Sequence, residues 1–205
     1  MQKSIIYDVE IIRAIPPNDK PRDLSLEYCN GWGDYLNMGI SIITAYVSEG
    51  FSCCPAGVRT FINQESKIPY DFPDFRLLLE DQPIVNGFNS PRFDDKVAAA
   101  NGIGISTNYD ICAQIKKAAQ GKGTYSLRNI AAANGLHKGD GALAPILWQM
   151  GKRDEVITYG KQEMESLVRI LQLGLRGELK NPNHDSLINL PQTNLDMSYY
   201  QELSL

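Results

Sequence analysis

Histidine and cysteine are scarce in this chain, and each scarcity excludes something. Two histidines, His137 and His184, and four cysteines, Cys29, Cys53, Cys54 and Cys112, include no Cys-x-x-Cys pair. That leaves little from which to build a zinc site. Cys53 and Cys54 fall in a stretch that reads as a strand, which predicts reduced packing residues. No run approaches the roughly 18 consecutive apolar residues of a membrane span. The first residues also lack the charged-then-apolar pattern of a secretion leader. The two absences together predict a cytoplasmic protein with no membrane partner. An excess of positive charge is missing as well: the formal net charge is -4 and the isoelectric point about 5.2. That argues against a general nucleic-acid coat protein, which carries a basic surface. It leaves a nuclease open, because a bound metal supplies positive charge inside an acidic site.

What is present suits a globular domain. With 205 residues, 43% hydrophobic and 21% charged, the chain can bury one substantial core. The expected division is a domain over residues 1–178 and a polar C-terminal tail over 179–205.

The most informative stretch is the first apolar run, Ser4-Ile5-Ile6-Tyr7-Asp8-Val9-Glu10-Ile11-Ile12. Its β-branched residues read as a strand buried on both faces. In a strand, residues i and i+2 point to the same side, so Asp8 and Glu10 stand side by side at its end. Either the strand simply finishes in water there, or a divalent cation neutralises two carboxylates that would otherwise resist ionising together.

Proline and glycine punctuation then marks a long loop over residues 13–37, including Asn30-Gly31-Trp32-Gly33-Asp34. Strands are expected at residues 38–47 and 51–58 around a Glu49-Gly50 turn, giving an antiparallel meander with the first. A helix over 75–80 and a short strand over 83–88 follow. Ser90 and Pro91 suit the start of a helix running through Ala100, with Asp94 in its first turn. The helix dipole alone would favour an acid there. Further helices are expected over 110–119, 126–133, 142–150 and 154–173, the first two ended by Gly121 and Gly135. Strands first and helices later predict an α/β fold with a mixed sheet flanked by helices.

On the last helix Tyr159 and Glu163 are four apart and share a face. Alone, such a pair is usually a surface contact. In order along the chain, however, the acidic residues form a set. Asp8-Val9-Glu10, then Asn89-Ser90-Pro91-Arg92-Phe93-Asp94, then Tyr159-Gly160-Lys161-Gln162-Glu163 resemble the three motifs of the DEDD superfamily of 3′–5′ exonucleases, tyrosine branch. Tyr125 to Ile130, Asp140 to Pro145, Trp148, Gly151 and Asp154 to Ile157 look like the same branch, so the likeness runs from about Ile5 to Leu173.

The resemblance implies a ribonuclease H-like fold and hydrolysis of nucleic-acid phosphodiesters from the 3′ end by two Mg²⁺ or Mn²⁺ ions. It implies Asp8, Glu10, Asp94 and Glu163 as metal ligands, with Asp8 bridging both ions, and Tyr159 as the group that positions water. The third motif normally ends in aspartate. Glu163 keeps the charge but reaches one methylene further, in a site whose geometry should hold to about 0.5 Å.

A catalytically weakened or inactive ribonuclease H-like module that binds nucleic acid or a protein partner is the alternative, and a small-molecule phosphodiesterase is a third reading. Nothing in the motifs chooses DNA or RNA, which differ by the 2′-hydroxyl. Gly121-Lys122-Gly123-Thr124 lacks phosphate-loop spacing. His137 reads as a loop residue, Asp110 as a helix cap, and Lys138, Lys152 and Arg153 as possible phosphate contacts.

Overall fold

A computed structural model describes residues 3–19, 21–63, 71–120, 123–137 and 139–191. The opening run forms β1 (Ser4–Ile11), buried along its length except at half-buried Asp8. After the long loop and a one-turn helix, α1 (Tyr35–Met38), comes β2 (Ile40–Val47), buried at every residue. Then follow β3 (Gly57–Ile62), α2 (Pro73–Glu80), β4 (Ile84–Gly87), a 3₁₀ turn over Ser90–Arg92, and α3 (Asp94–Ala100). The remainder is β5 (Tyr109–Asp110), α4 (Ile111–Ala119), α5 (Leu127–Ala133), α6 (Leu143–Gln149), α7 (Arg153–Arg176), β6 (Leu179–Lys180) and β7 (Leu187–Ile188).

The five-stranded sheet has the order β3-β2-β1-β4-β5. β1, β2 and β3 pair antiparallel, as expected, while β4 runs parallel to β1 and β5 parallel to β4. This is the α/β mixed sheet that the element order predicts. Alternation along β1 divides the core. Ile5, Tyr7, Val9 and Ile11 pack with Phe75, Leu78, Val97 and Ala98 from α2 and α3. Ile6 faces the other way, toward Ile115, Ile130, Met164, Leu167 and Leu171 from α4, α5 and α7. Asp8 and Glu10 share the parity of Ile6, so the acids lie on the α7 side.

Several expectations shift. The third strand begins at Gly57 rather than Phe51, because Pro55 lacks the N–H that a paired strand must donate. Cys53 is therefore exposed and Cys54 half-buried in a loop, both as free thiols, not packed in a strand. The helix expected from Ser90 is divided: Phe93 leaves helical geometry (φ -136°), and the α-helix begins at Asp94. β5 is a two-residue strand with no sequence signal of its own. α4 turns at Gln120, in left-handed geometry; Gly121, its expected terminator, lies outside the described residues. The polar stretch after residue 178 forms the β6–β7 ribbon, whose Leu179 and Ile188, with Leu190, bury against the α7 core. Only residues 192–205 of the expected tail fall outside the described part. Capping follows expectation at Asp110, whose carboxylate accepts from the N–H groups of Cys112 and Ala113, and at Ser126, which accepts from Asn129.

Candidate metal centre

Register positions the first two acids. Asp8 pairs with Thr44 and Glu10 with Ile42 across the β1–β2 ladder, and a bulge follows at Glu10/Ile11. Residues directly opposite in a ladder project to the same face, so all four side chains meet α7. The helix comes unusually near. A Cβ on Gly160 would lie 2.6 Å from Thr44 Oγ1 and 2.9 Å from Ile42 Cδ1, so only glycine permits this approach. One turn further on, Glu163 reaches the acid pair. One carboxylate oxygen each from Asp8, Glu10 and Glu163 lie within 4.8 Å of one another.

Glu10 is 7% and Glu163 5% exposed. Three carboxylates gathered with so little water repel one another and favour a positive charge among them. The donors are all hard oxygens, a set that suits Mg²⁺ or Mn²⁺ and not a thiolate-seeking metal. The residues therefore fit a divalent ion.

Asp94 lines the same cleft but lies outside that tight group of three. It is buried, and its Oδ1 accepts from the Val9 N–H, midway between the two β1 acids, at 3.4 Å. Burial pushes its carboxyl up to about 7. The neighbouring Asp95 fastens α3 to β1. It accepts from the Tyr7 hydroxyl, and from Thr107 through N–H (3.0 Å) and Oγ1 (2.8 Å). Burial, and then the bond to Asp95, push the Tyr7 phenol far above its ordinary range.

Tyr159 stands over the acids. Burial raises its phenol well above the usual value, the charges of Glu10 and Glu163 raise it further, and it hydrogen-bonds Glu163. Its ring is packed by a glycine loop. A Cβ on Gly139 would lie 2.3 Å from Tyr159 Cε2, and one on Gly141 3.7 Å from the hydroxyl. Ser166, also on α7, donates to the His137 carbonyl (2.6 Å) and ties that loop to the helix.

All five expected site residues line one open cleft of about 1160 Å³, together with Arg92, Lys116 and Trp32. Asp95, Lys116 and Trp32 were not singled out by the sequence: an acid beside an acid, a helix lysine and a loop tryptophan carry no distinguishing pattern. Lys152 pairs with Glu155 (3.0 Å) and Arg153 stacks over Trp148 (4.9 Å), so each has a local role. Lys138 lies outside the described residues. His137 is an exposed loop residue, as expected. Among the described residues, no helix is long and apolar enough to cross a membrane. Comparison of the sequence with protein-family models gives no match, and comparison with curated proteins gives none either.

Proposed function

We propose that the chain is a metal-dependent 3′–5′ exonuclease with a ribonuclease H-like fold, hydrolysing phosphodiester bonds of nucleic acid. The observation that carries this reading is the convergence of Glu163, from the last long helix, with Asp8 and Glu10 from the first strand, beneath Tyr159. The mixed sheet is compatible with the fold that the motifs suggest. The 3′ direction rests on the likeness to the tyrosine branch.

Asp8, Glu10 and Glu163 would hold the ions, with Asp94 at the cleft wall as the further ligand that the resemblance implies. Bound Mg²⁺ or Mn²⁺ would supply charge for activating water and for stabilising the leaving oxygen, chemistry that two ions roughly 4 Å apart divide between them. Tyr159, held protonated by burial and by its acidic neighbours, orients water as a hydrogen-bonding group and does not remove its proton. Arg92 and Lys116 bring positive charge to the cleft wall, where it opposes backbone phosphates. Glu163 is buried within the acidic group, which favours a working ligand over a retired one.

The test is a nuclease assay on end-labelled single- and double-stranded DNA and RNA with Mg²⁺, Mn²⁺ or EDTA. A metal-dependent ladder shortening from the 3′ end is the expected outcome. Binding without cleavage would assign the alternative, a module that holds nucleic acid, and cleavage of small phosphodiesters alone would assign the third reading.

A further inference from the structure

The rim of the cleft carries a large aromatic side chain with no part in the reading above. Trp32 is 65% exposed, although tryptophan is on average among the more buried residues. It lines the same cleft as the acids. Its ring meets Phe93 at 68°, with centroids 5.9 Å apart, and Phe93 immediately precedes Asp94. That contact steadies the indole against the site while most of its surface stays open.

The loop around it is tied down. Asp34 Oδ2 accepts from both the backbone N–H and the side-chain amide of Asn30, each at 2.8 Å. Its Oδ1 accepts from the Asn37 amide at 2.7 Å, and its own N–H donates to the Gly31 carbonyl at 3.1 Å. Gly31 has φ +132°, which a side chain would resist. An exposed indole on a fixed loop is a preorganised surface, which loses little freedom when something flat covers it. Arg92 and Lys116 on the same cleft supply charge complementary to phosphates beside that flat group.

We infer that Trp32 is a stacking platform for one unpaired nucleobase of the strand that enters the cleft. The inference rests on the exonuclease reading and adds a residue that selects the state of the substrate. Any base can stack on an indole, so the contact is tolerant of sequence. A base inside a duplex has both faces covered by its neighbours, so the platform is open to bases of an unpaired strand and closed to the interior of a duplex. The larger purine face should be held better than the pyrimidine.

The experiment uses the full chain in EDTA, where nothing is cut, and a 5′-labelled single-stranded oligodeoxyadenylate read by fluorescence anisotropy. Variants of that strand carry an abasic site at each position near the 3′ end in turn. Trp32→Ala should weaken binding roughly 5- to 150-fold, the range that loss of one base–aromatic stack produces, and Trp32→Phe should restore most of it. One abasic position should weaken wild type by a similar factor yet leave Trp32→Ala unchanged. Cleavage by wild type with Mn²⁺ is measured in parallel. If wild type binds and cuts while Trp32→Ala binds equally well, or suffers the same abasic penalty, the platform is overturned and the exonuclease reading stands. If wild type neither binds nor cuts, the exonuclease reading falls and the platform with it.

Discussion

Gly160 of α7 lies so close to Thr44 of β2 that a Cβ at position 160 would sit 2.6 Å from the threonine hydroxyl. Thr44 is the register partner of Asp8, so helix and sheet are in tight contact beside the acid pair that Glu163 must reach. Gly160→Ala should push the helix off the sheet, at a cost of about 1–3 kcal/mol for overpacking. It should also weaken cation binding by drawing Glu163 away. The measurement is a melting curve in Mn²⁺ and in EDTA. Wild type should gain stability from millimolar Mn²⁺, and Gly160→Ala should gain clearly less. An equal gain in both would show that this approach does not set the position of Glu163.

Tyr159 should matter to turnover and not to folding. Tyr159→Phe keeps the ring that packs on Gly139 and removes only the hydroxyl that orients water, so kcat should fall by roughly a hundred-fold, the order of a positioning loss, with binding in EDTA unchanged. Unchanged kcat would mean that another group orients the water.

Asp94 makes the metal-free protein sensitive to pH. Burial pushes its carboxyl up to about 7 from an ordinary 3.8, so between those values the folded state should hold the extra proton. Stability from this group is complete below about pH 4 and is lost as pH rises through 7. In EDTA, denaturant titrations should therefore show a falling contribution across that window, absent in Asp94→Asn. Identical pH slopes in the two proteins would refute it.

Glu163 separates a working site from a retired one. Glu163→Gln removes a ligand charge at nearly constant shape and should abolish most cleavage. Glu163→Asp shortens the reach by one methylene in a helix whose approach is fixed by Gly160, so its rate should lie below wild type. A rate series under saturating Mn²⁺ decides. A rise in Glu163→Asp would instead mark the wild-type site as impaired, and equal robust rates in all three would remove Glu163 from the chemistry.

The acid pair on β1, and the Tyr159–Glu163 pair on α7, were legible because local periodicity fixes which face a residue occupies. The approach of α7 to the sheet was not, since it depends on Gly160 meeting Thr44 from a strand more than a hundred residues away. Strand β3 was misplaced for a local reason, an apolar stretch interrupted by Pro55. β5 and the β6–β7 ribbon were missed because two-residue strands have no period to detect. Asp94 is singled out by its motif, but its place outside the group of three acids and the break at Phe93 before it are not revealed by spacing. Trp32 read as one residue in a glycine-rich loop; its exposure beside the acids is a tertiary fact.

The three gathered carboxylates come from elements made far apart in time. Asp8 and Glu10 belong to β1, and Glu163 to α7, roughly 150 residues later. At about 5–20 residues per second, that separation is roughly 8–30 s of translation. Throughout it the growing chain holds an acid pair without its third donor, on a β1 whose α7-facing side is still uncovered. If these acids hold a cation, as proposed, its affinity would arise only once α7 has docked. On the exonuclease reading, the cutting activity would be withheld from the nascent chain until α7 has been made and has docked.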